Sequence, residues 1–121
     1  MKLTPLSLIA HWAGGELHGD DTMIDAVGND TRTLADGSLY VALGGERFDG
    51  HDFATEAVAR GASGVLVDRL RTALSVPQEV VDNTDLARAR IAAGMQRDRA
   101  TRVRASTGPK RKARAEVRVL P

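Results

Sequence analysis

Two short segments carry residue types that could do chemistry. Gly28-Asn29-Asp30-Thr31-Arg32 brings a carboxamide, a carboxylate, a hydroxyl and a guanidinium together at the exit of a predicted strand. Fixed polar side chains and free backbone amides at a strand end can hold a polar ligand. The same types also build an Asx or ST turn, in which Asp30 and Thr31 bond their own backbone. The residues alone leave both readings open. The second segment, Gly44-Gly45-Glu46-Arg47-Phe48-Asp49-Gly50-His51, links a predicted buried strand to a helix. Loops outside the carboxyl ends of sheet strands are where α/β folds bind ligands. Its glycines permit close backbone approach, Arg47 could form paired bonds with a phosphate, and Phe48 could lie against a planar base. The alternative is an ordinary loop with Arg47 paired to Glu46 or Asp49.

Other chemistry finds less support. His51 could act as an acid or base, but a histidine beside a helix N-terminus is more often a packing residue. No nucleophile–base pair and no paired carboxylates stand out, so no catalytic residue is assigned. His11, His18 and His51 lack metal-ligand spacing and there is no cysteine, so no metal site is assigned either. The run Pro109-Lys110-Arg111-Lys112 with Arg114 could neutralise nucleic-acid phosphates. No aromatic residue follows Phe53 to stack on bases, and an unstructured basic extension is the preferred reading.

Periodicity places these segments within a series of helices and strands. Thr4-Pro5 reads as an N-cap and first helical residue. Leu6, Ile9, Ala10 and Ala13 then recur at helical spacing, and Gly14-Gly15 ends the helix. Residues 22–28 read as one strand, with Asp36-Gly37 as a turn beyond it. Ser38 to Leu43 is a short apolar run bounded by turn residues, as a buried strand should be. Asp52 can cap a helix from Phe53 to Arg60, with Phe53, Ala57 and Val58 facing inward and Gly61 closing it. Gly64 to Val67 is a second buried strand. A loop over residues 69–78 leads to a short strand, Glu79 to Val81. Thr84 then caps a helix from Asp85 to about Gln96. Strands alternating with helices predict an α/β domain with a mostly buried sheet and flanking helices.

Composition sets the outer bounds. The chain has 121 residues, 42% of them apolar, enough for one small domain. Residues 1–96 carry a net charge of −6 and residues 97–121 one of +7. The domain is therefore expected over 1–96. Residues 97–121, rich in Arg, Lys and Ala and without apolar periodicity, are expected to be a disordered basic tail. No apolar run approaches the roughly 18 residues of a membrane span. No signal peptide is expected, and the cytoplasm is the default compartment.

Taken together, the segments form an ordered series. It runs through Asn29-Asp30-Thr31-Arg32, Gly37-Ser38-Leu39-Tyr40-Val41-Ala42-Leu43 and Gly45-Glu46-Arg47-Phe48-Asp49-Gly50-His51-Asp52-Phe53. It ends with Ala57, Gly61-Ala62 and Val65-Leu66-Val67. Their order and spacing resemble the N-terminal domain of the Mur ligase family, and the run GERFDGHDF resembles its MurF type. Gly14-Gly15-Glu16-Leu17-His18-Gly19 and Val81-Asp82-Asn83-Thr84 fit the same family. The resemblance covers residues 1 to about 103. It implies a domain that holds the UDP end of a UDP-MurNAc-peptide during synthesis of peptidoglycan precursor. It also implies a full-length enzyme that uses ATP and Mg2+ to phosphorylate a carboxylate, after which an amine displaces phosphate. By motif position, Asn29 and Thr31 would contact the uridine part, and Glu46, Arg47 and Phe48 would belong to the loop closing over the nucleotide sugar. A monomer is expected, with no membrane and no nucleic-acid partner.

The resemblance breaks down near the end of the chain. Family members carry a phosphate loop of the form T-G-x-x-G-K-T, whose glycine amides, lysine and hydroxyl serve phosphate and magnesium. Here the matching stretch is Thr107-Gly108-Pro109-Lys110-Arg111-Lys112-Ala113. Gly108 and Lys112 fall in place as a remnant of the ATP site. Arg111 replaces the second glycine, Ala113 replaces the hydroxyl, Pro109 lacks an amide donor, and Arg104 interrupts the preceding strand pattern. The leading expectation is a truncated, catalytically incomplete ligase chain that keeps the substrate-binding domain and holds no cofactor. A stand-alone nucleotide-sugar-binding module and a nucleic-acid-binding protein acting through the basic tail are the alternatives.

Overall fold

The computed structural model describes residues 2–44, 50–71 and 74–107. The chain opens with strand β1 (Thr4–Pro5) and helix α1 (Leu6–Ala13). Leu6, Ile9, Ala10 and Ala13 are buried, as the helical spacing requires. Gly14 ends the helix at φ 74°, its amide bonding the carbonyls of Ala10 and His11; only glycine takes this conformation without a side-chain penalty. The start of α1 differs from expectation. Thr4 Oγ1 donates to the Lys2 carbonyl at 2.7 Å instead of capping the helix, and Pro5 occupies the cap position. The carboxylate of Asp21 does the capping from a distant loop.

Next come β2 (Glu16–His18), β3 (Met23–Ile24), β4 (Ala26–Gly28) and β5 (Ser38–Val41). Residues 22–28 are thus two strands. β3 pairs with β1 in a small two-stranded ladder, and β4 joins the main sheet. The break falls at Asp25, whose amide leaves the ladders to bond the Gly37 carbonyl at 3.0 Å. A short 3-10 turn, Gly50–Phe53, leads into α2 (Ala54–Ala59). That turn places Phe53 at the cap of α2 and 37% exposed, not on the inward face. Gly61 follows the end of α2 at φ 105°. The remaining elements are β6 (Gly64–Val67), β7 (Gln78–Val80) and α3 (Thr84–Thr107).

The main sheet has the order β2-β7-β6-β5-β4. Strands β4, β5, β6 and β7 are mutually parallel, and β2 is antiparallel at the far edge. Side-chain alternation divides the core into two layers. Leu39, Val41 and Leu66 pack on one face with Leu6, Ile9 and Ala13 of α1 and Ala87 and Ile91 of α3. Tyr40, Ala42, Val65 and Val67 pack on the other with Ala57 of α2. β5 and β6 are buried on both faces, which is why they read as unbroken apolar runs.

α3 crosses α1 through a close contact between Gly94 and the ring of Trp12. The Asn83 side chain accepts the Leu86 amide at 3.0 Å, so Asn83 caps this helix rather than Thr84. Its buried stripe is Ala87, Ile91 and Gly94, with Met95 half-buried beside it. The helix nonetheless runs to Thr107, eleven residues past the expected end. The repeated Arg and Ala of residues 97–107 favour helix without an apolar face to bury, so this part of the expected disordered segment continues α3. Residues 108–121 lie outside the described residues.

Candidate functional site

Four parallel strands end at one edge of the sheet. Gly28, Val41, Val67 and Val80 are their last residues, and register aligns Gly28 of β4 with Tyr40 of β5. Segments leaving these ends share the carboxyl edge, where open α/β sheets bind ligands. They are residues 29–33 after β4, 42–44 after β5, Asp68 and Arg69 after β6, and Asp82 and Asn83 after β7. The first two carry the residues singled out from sequence. Asp68 and Arg69 were not singled out, and their position directly after an apolar strand was the available signal. Arg69 Nε lies 3.6 Å from Asp68 Oδ1 in an exposed pair.

The segment after β4 forms the turn that one of its two readings describes. Asp30 accepts the Arg32 amide at 2.9 Å, and its carboxylate takes two bonds from the Arg32 guanidinium, 3.0 Å from Nε and 2.8 Å from Nη2. The Thr33 amide and hydroxyl both donate to the Asp30 carbonyl. Asp30 is therefore the organiser of an Asx turn. The hydrogen bonds from Arg32 hold its carboxyl down at about 2, and Asp30 in return holds the guanidinium charged. Asn29 and Thr31 enter none of these bonds. Thr31 is buried against the sheet edge, and Asn29 is exposed. Asp30 and Arg32 shape the turn, which leaves the Asn29 side chain exposed and Thr31 buried. Gly28 permits the turn to fold back, since a Cβ there would stand 3.2 Å from Leu34 Cδ1.

In the segment after β5, Ala42 extends the ladder by donating to the Leu66 carbonyl at 3.0 Å. Gly44 then follows at the same edge, and among the described residues nothing lies within 4 Å of where a Cβ would sit. Glu46, Arg47 and Phe48 lie outside the described residues, as does the His51 side chain. The same is true of Gly108 and Lys112. Among the described residues no three His, Asp or Glu side chains gather as metal ligands would. Also among these residues, no helix is long and apolar enough to cross a membrane.

Residues 23–105 match the model of the Mur ligase family, catalytic domain. That stretch is well over half of the chain. The chain belongs to the Mur ligase family. It is 47% identical over 103 residues to the UDP-N-acetylmuramoyl-tripeptide–D-alanyl-D-alanine ligase of Escherichia coli K12, covering 85% of this chain and 23% of that enzyme. It is 46% identical over 90 residues to the UDP-N-acetylmuramoyl-L-alanyl-D-glutamate–2,6-diaminopimelate ligase of Geobacillus kaustophilus, covering 74% of this chain and 17% of the relative. Its fold matches a crystal structure of MurF from Acinetobacter baumannii with a TM-score of 0.71 at 30% identity, over 83% of this chain and 23% of that one. The five-stranded sheet with its flanking helices is the Mur ligase N-terminal fold seen in MurF. The chain spans about a quarter of the length of the Escherichia coli relative. Within it, the series from Asn29 to Val67 falls wholly inside the Mur ligase match.

Proposed function

We propose that this chain binds a UDP-MurNAc-peptide at the carboxyl edge of its parallel strands, as the substrate-holding part of a D-alanyl-D-alanine-adding Mur ligase. Asn29 and Thr31 contact the uridine, and Glu46, Arg47 and Phe48 cover the nucleotide sugar. The observation that carries this reading is the Asp30–Arg32 turn. It spends two of the four polar side chains on shape and leaves Asn29 and Thr31 at the edge of the sheet. A carboxamide has both donors and an acceptor, as the edge of a uracil requires. Gly44 supports the same site: neither packing nor a positive φ asks for glycine there, whereas close backbone approach to a ligand would.

The domain holds and orients substrate in this account, and no chemical step is assigned to it. ATP and Mg2+ belong to the full-length enzyme of the family, and Gly108 and Lys112 are the positions of this chain that match its phosphate loop. Isothermal titration of the full chain with UDP-MurNAc-tripeptide, UDP and a short single-stranded RNA tests the reading. Saturable binding of the muramyl peptide, competed by UDP and insensitive to the RNA, is the expected result. RNA binding that weakens steeply with salt, without any UDP competition, would overturn it in favour of a nucleic-acid partner.

A further inference from the structure

Glu79 sits in the middle of β7 and is wholly buried, 0% exposed. Register places it beside Leu17 of β2 and Leu66 of β6. Leu66 packs beneath α1 and α3, whereas Val80, the next residue along, packs on the α2 side. Alternation along the strand therefore directs Glu79 toward α1 and α3. Both of its carboxyl oxygens are buried without a hydrogen-bond partner. Oε2 lies 3.0 Å from where a Cβ on Gly15 would stand, so the carboxyl abuts the Gly14-Gly15 turn that ends α1. A helix C-terminus presents carbonyls that lack intrahelical donors and a partial negative charge. A carboxylate is doubly disfavoured there, by burial and by that charge. A neutral carboxylic acid suits the place better, because it carries no charge to strip of water.

We propose that Glu79 is a proton-operated latch on the corner formed by α1, β2 and β7: as the neutral acid it lets α1 close on the sheet, and its ionisation loosens that corner. Among the described residues, the charged groups around it do not supply a counter-ion. Glu16 and His18 of β2 flank Leu17, point to the other face by alternation, and pair with each other at 2.9 Å. β6 contributes no charged residue. α1 carries His11, which is exposed. Arg88 and Arg90 of α3 are also exposed, and the Arg90 guanidinium lies beside Gly14, with Nη1 3.4 Å from the Cβ position there. Burial lifts the Glu79 carboxyl from its ordinary 4.5 to about 7, which puts the change within the range a cell experiences.

The sign follows from linkage. Between the ordinary carboxyl value and about 7, the folded protein keeps a proton that the unfolded chain has released. The stabilisation is present in full below that window, declines through it, and is gone above it. The test is equilibrium urea unfolding of the full chain from pH 4 to 8.5, for wild type and for the isosteric Glu79→Gln. Relative to the variant, the wild-type unfolding constant should rise by up to about tenfold per pH unit across the window and then run parallel. Amide protection factors at Gly14 to Leu17, corrected for base-catalysed intrinsic exchange, should fall through the same window in wild type and not in the variant. Should the variant fail to fold, a carbon-13 titration of the Glu79 carboxyl in the wild-type protein decides alone. Parallel stability profiles, or a carboxyl that titrates at its ordinary value in the folded protein, would overturn the proposal.

Discussion

Asp21 grips the first turn of α1 from a loop fourteen residues away in sequence. Its Oδ1 accepts the Ser7 amide at 2.9 Å and its Oδ2 accepts the Ser7 hydroxyl at 2.6 Å. The Leu6 amide is met at the same time by the Thr22 carbonyl at 2.8 Å. Pro5 at the cap position has no side-chain acceptor to offer, so the helix borrows one. A carboxylate here also faces the positive end of the helix dipole.

Replacing Asp21 with Ala should therefore cost about 1 kcal/mol, the usual worth of a helix cap, read as a lower midpoint in urea unfolding. Asp21 is held below its ordinary value chiefly by the Ser7 hydroxyl and amide. The unfolded chain thus takes up this proton first as pH falls. The stabilisation is present above the ordinary carboxyl range and is lost as pH falls through the lowered value. Asp21→Ala should accordingly narrow the gap to wild type in acid, while Asp21→Asn should keep part of the cap at all pH values.

Gly94 should be intolerant of any side chain. A glycine inside a helix ordinarily costs about 1 kcal/mol relative to alanine, so Gly94→Ala would stabilise an isolated helix. Here a Cβ would run into the Trp12 ring. Overpacking of this kind costs roughly 1–3 kcal/mol, enough to cancel or reverse the gain. The expected outcome is a lower midpoint together with a shifted emission maximum for Trp12, the single tryptophan of the chain. A stabilised variant with unchanged emission would show that α1 and α3 do not pack this closely.

The turn after β4 separates shape from contact, and mutations should do the same. Asn29→Ala and Thr31→Ala should each weaken UDP-MurNAc-tripeptide binding several-fold, with Asn29→Ala leaving the melting temperature nearly unchanged because its side chain is exposed. Asp30→Ala should release Arg32 and weaken binding indirectly, through a disordered turn visible as lost amide protection at Arg32 and Thr33. Because the Asp30 carboxyl is held at about 2, the turn should remain intact throughout the mildly acidic range, and ligand affinity should show no step there that Asp30→Asn removes.

Arg111 and Ala113 lead to a prediction about chemistry. Under the proposed matching of residues 107–113 to the family's phosphate loop, a long cation and a methyl group stand at the positions of a glycine and a metal-binding hydroxyl. The purified chain, given UDP-MurNAc-tripeptide, D-alanyl-D-alanine, ATP and Mg2+, should release no phosphate above background. Substrate-dependent release would contradict that expectation directly.

Much of the fold was legible because its signals are local. Leu39 to Val41 and Val65 to Val67 are apolar without interruption because both faces of their strands are covered. Gly14 and Gly61 mark helix ends because the positive φ there suits glycine. What escaped reading depends on tertiary contacts. The cap of α1 comes from Asp21, which no local pattern links to Ser7. Residues 23–28 divide at Asp25 because its amide is claimed by Gly37. α3 outruns its apolar stripe because propensity alone extends it. Glu79 opens a predicted short strand with no local sign of its burial, and only the packing around β7 reveals it. At the site, sequence identified the Asn29–Arg32 segment but could not say which of its side chains were committed to the turn. The geometry assigns Asp30 and Arg32 to that task.

Amide shift mapping of the full chain with UDP-MurNAc-tripeptide tests the central claim most directly. Perturbations should concentrate on Gly28 to Arg32, on Leu43 and Gly44, and on Asp68 and Arg69, all at the carboxyl edge of the parallel strands, with little change at Asp36, Gly37 or Ser63 at the opposite edge. Perturbations clustered at that opposite edge or along α3, or none at saturating ligand, would contradict it.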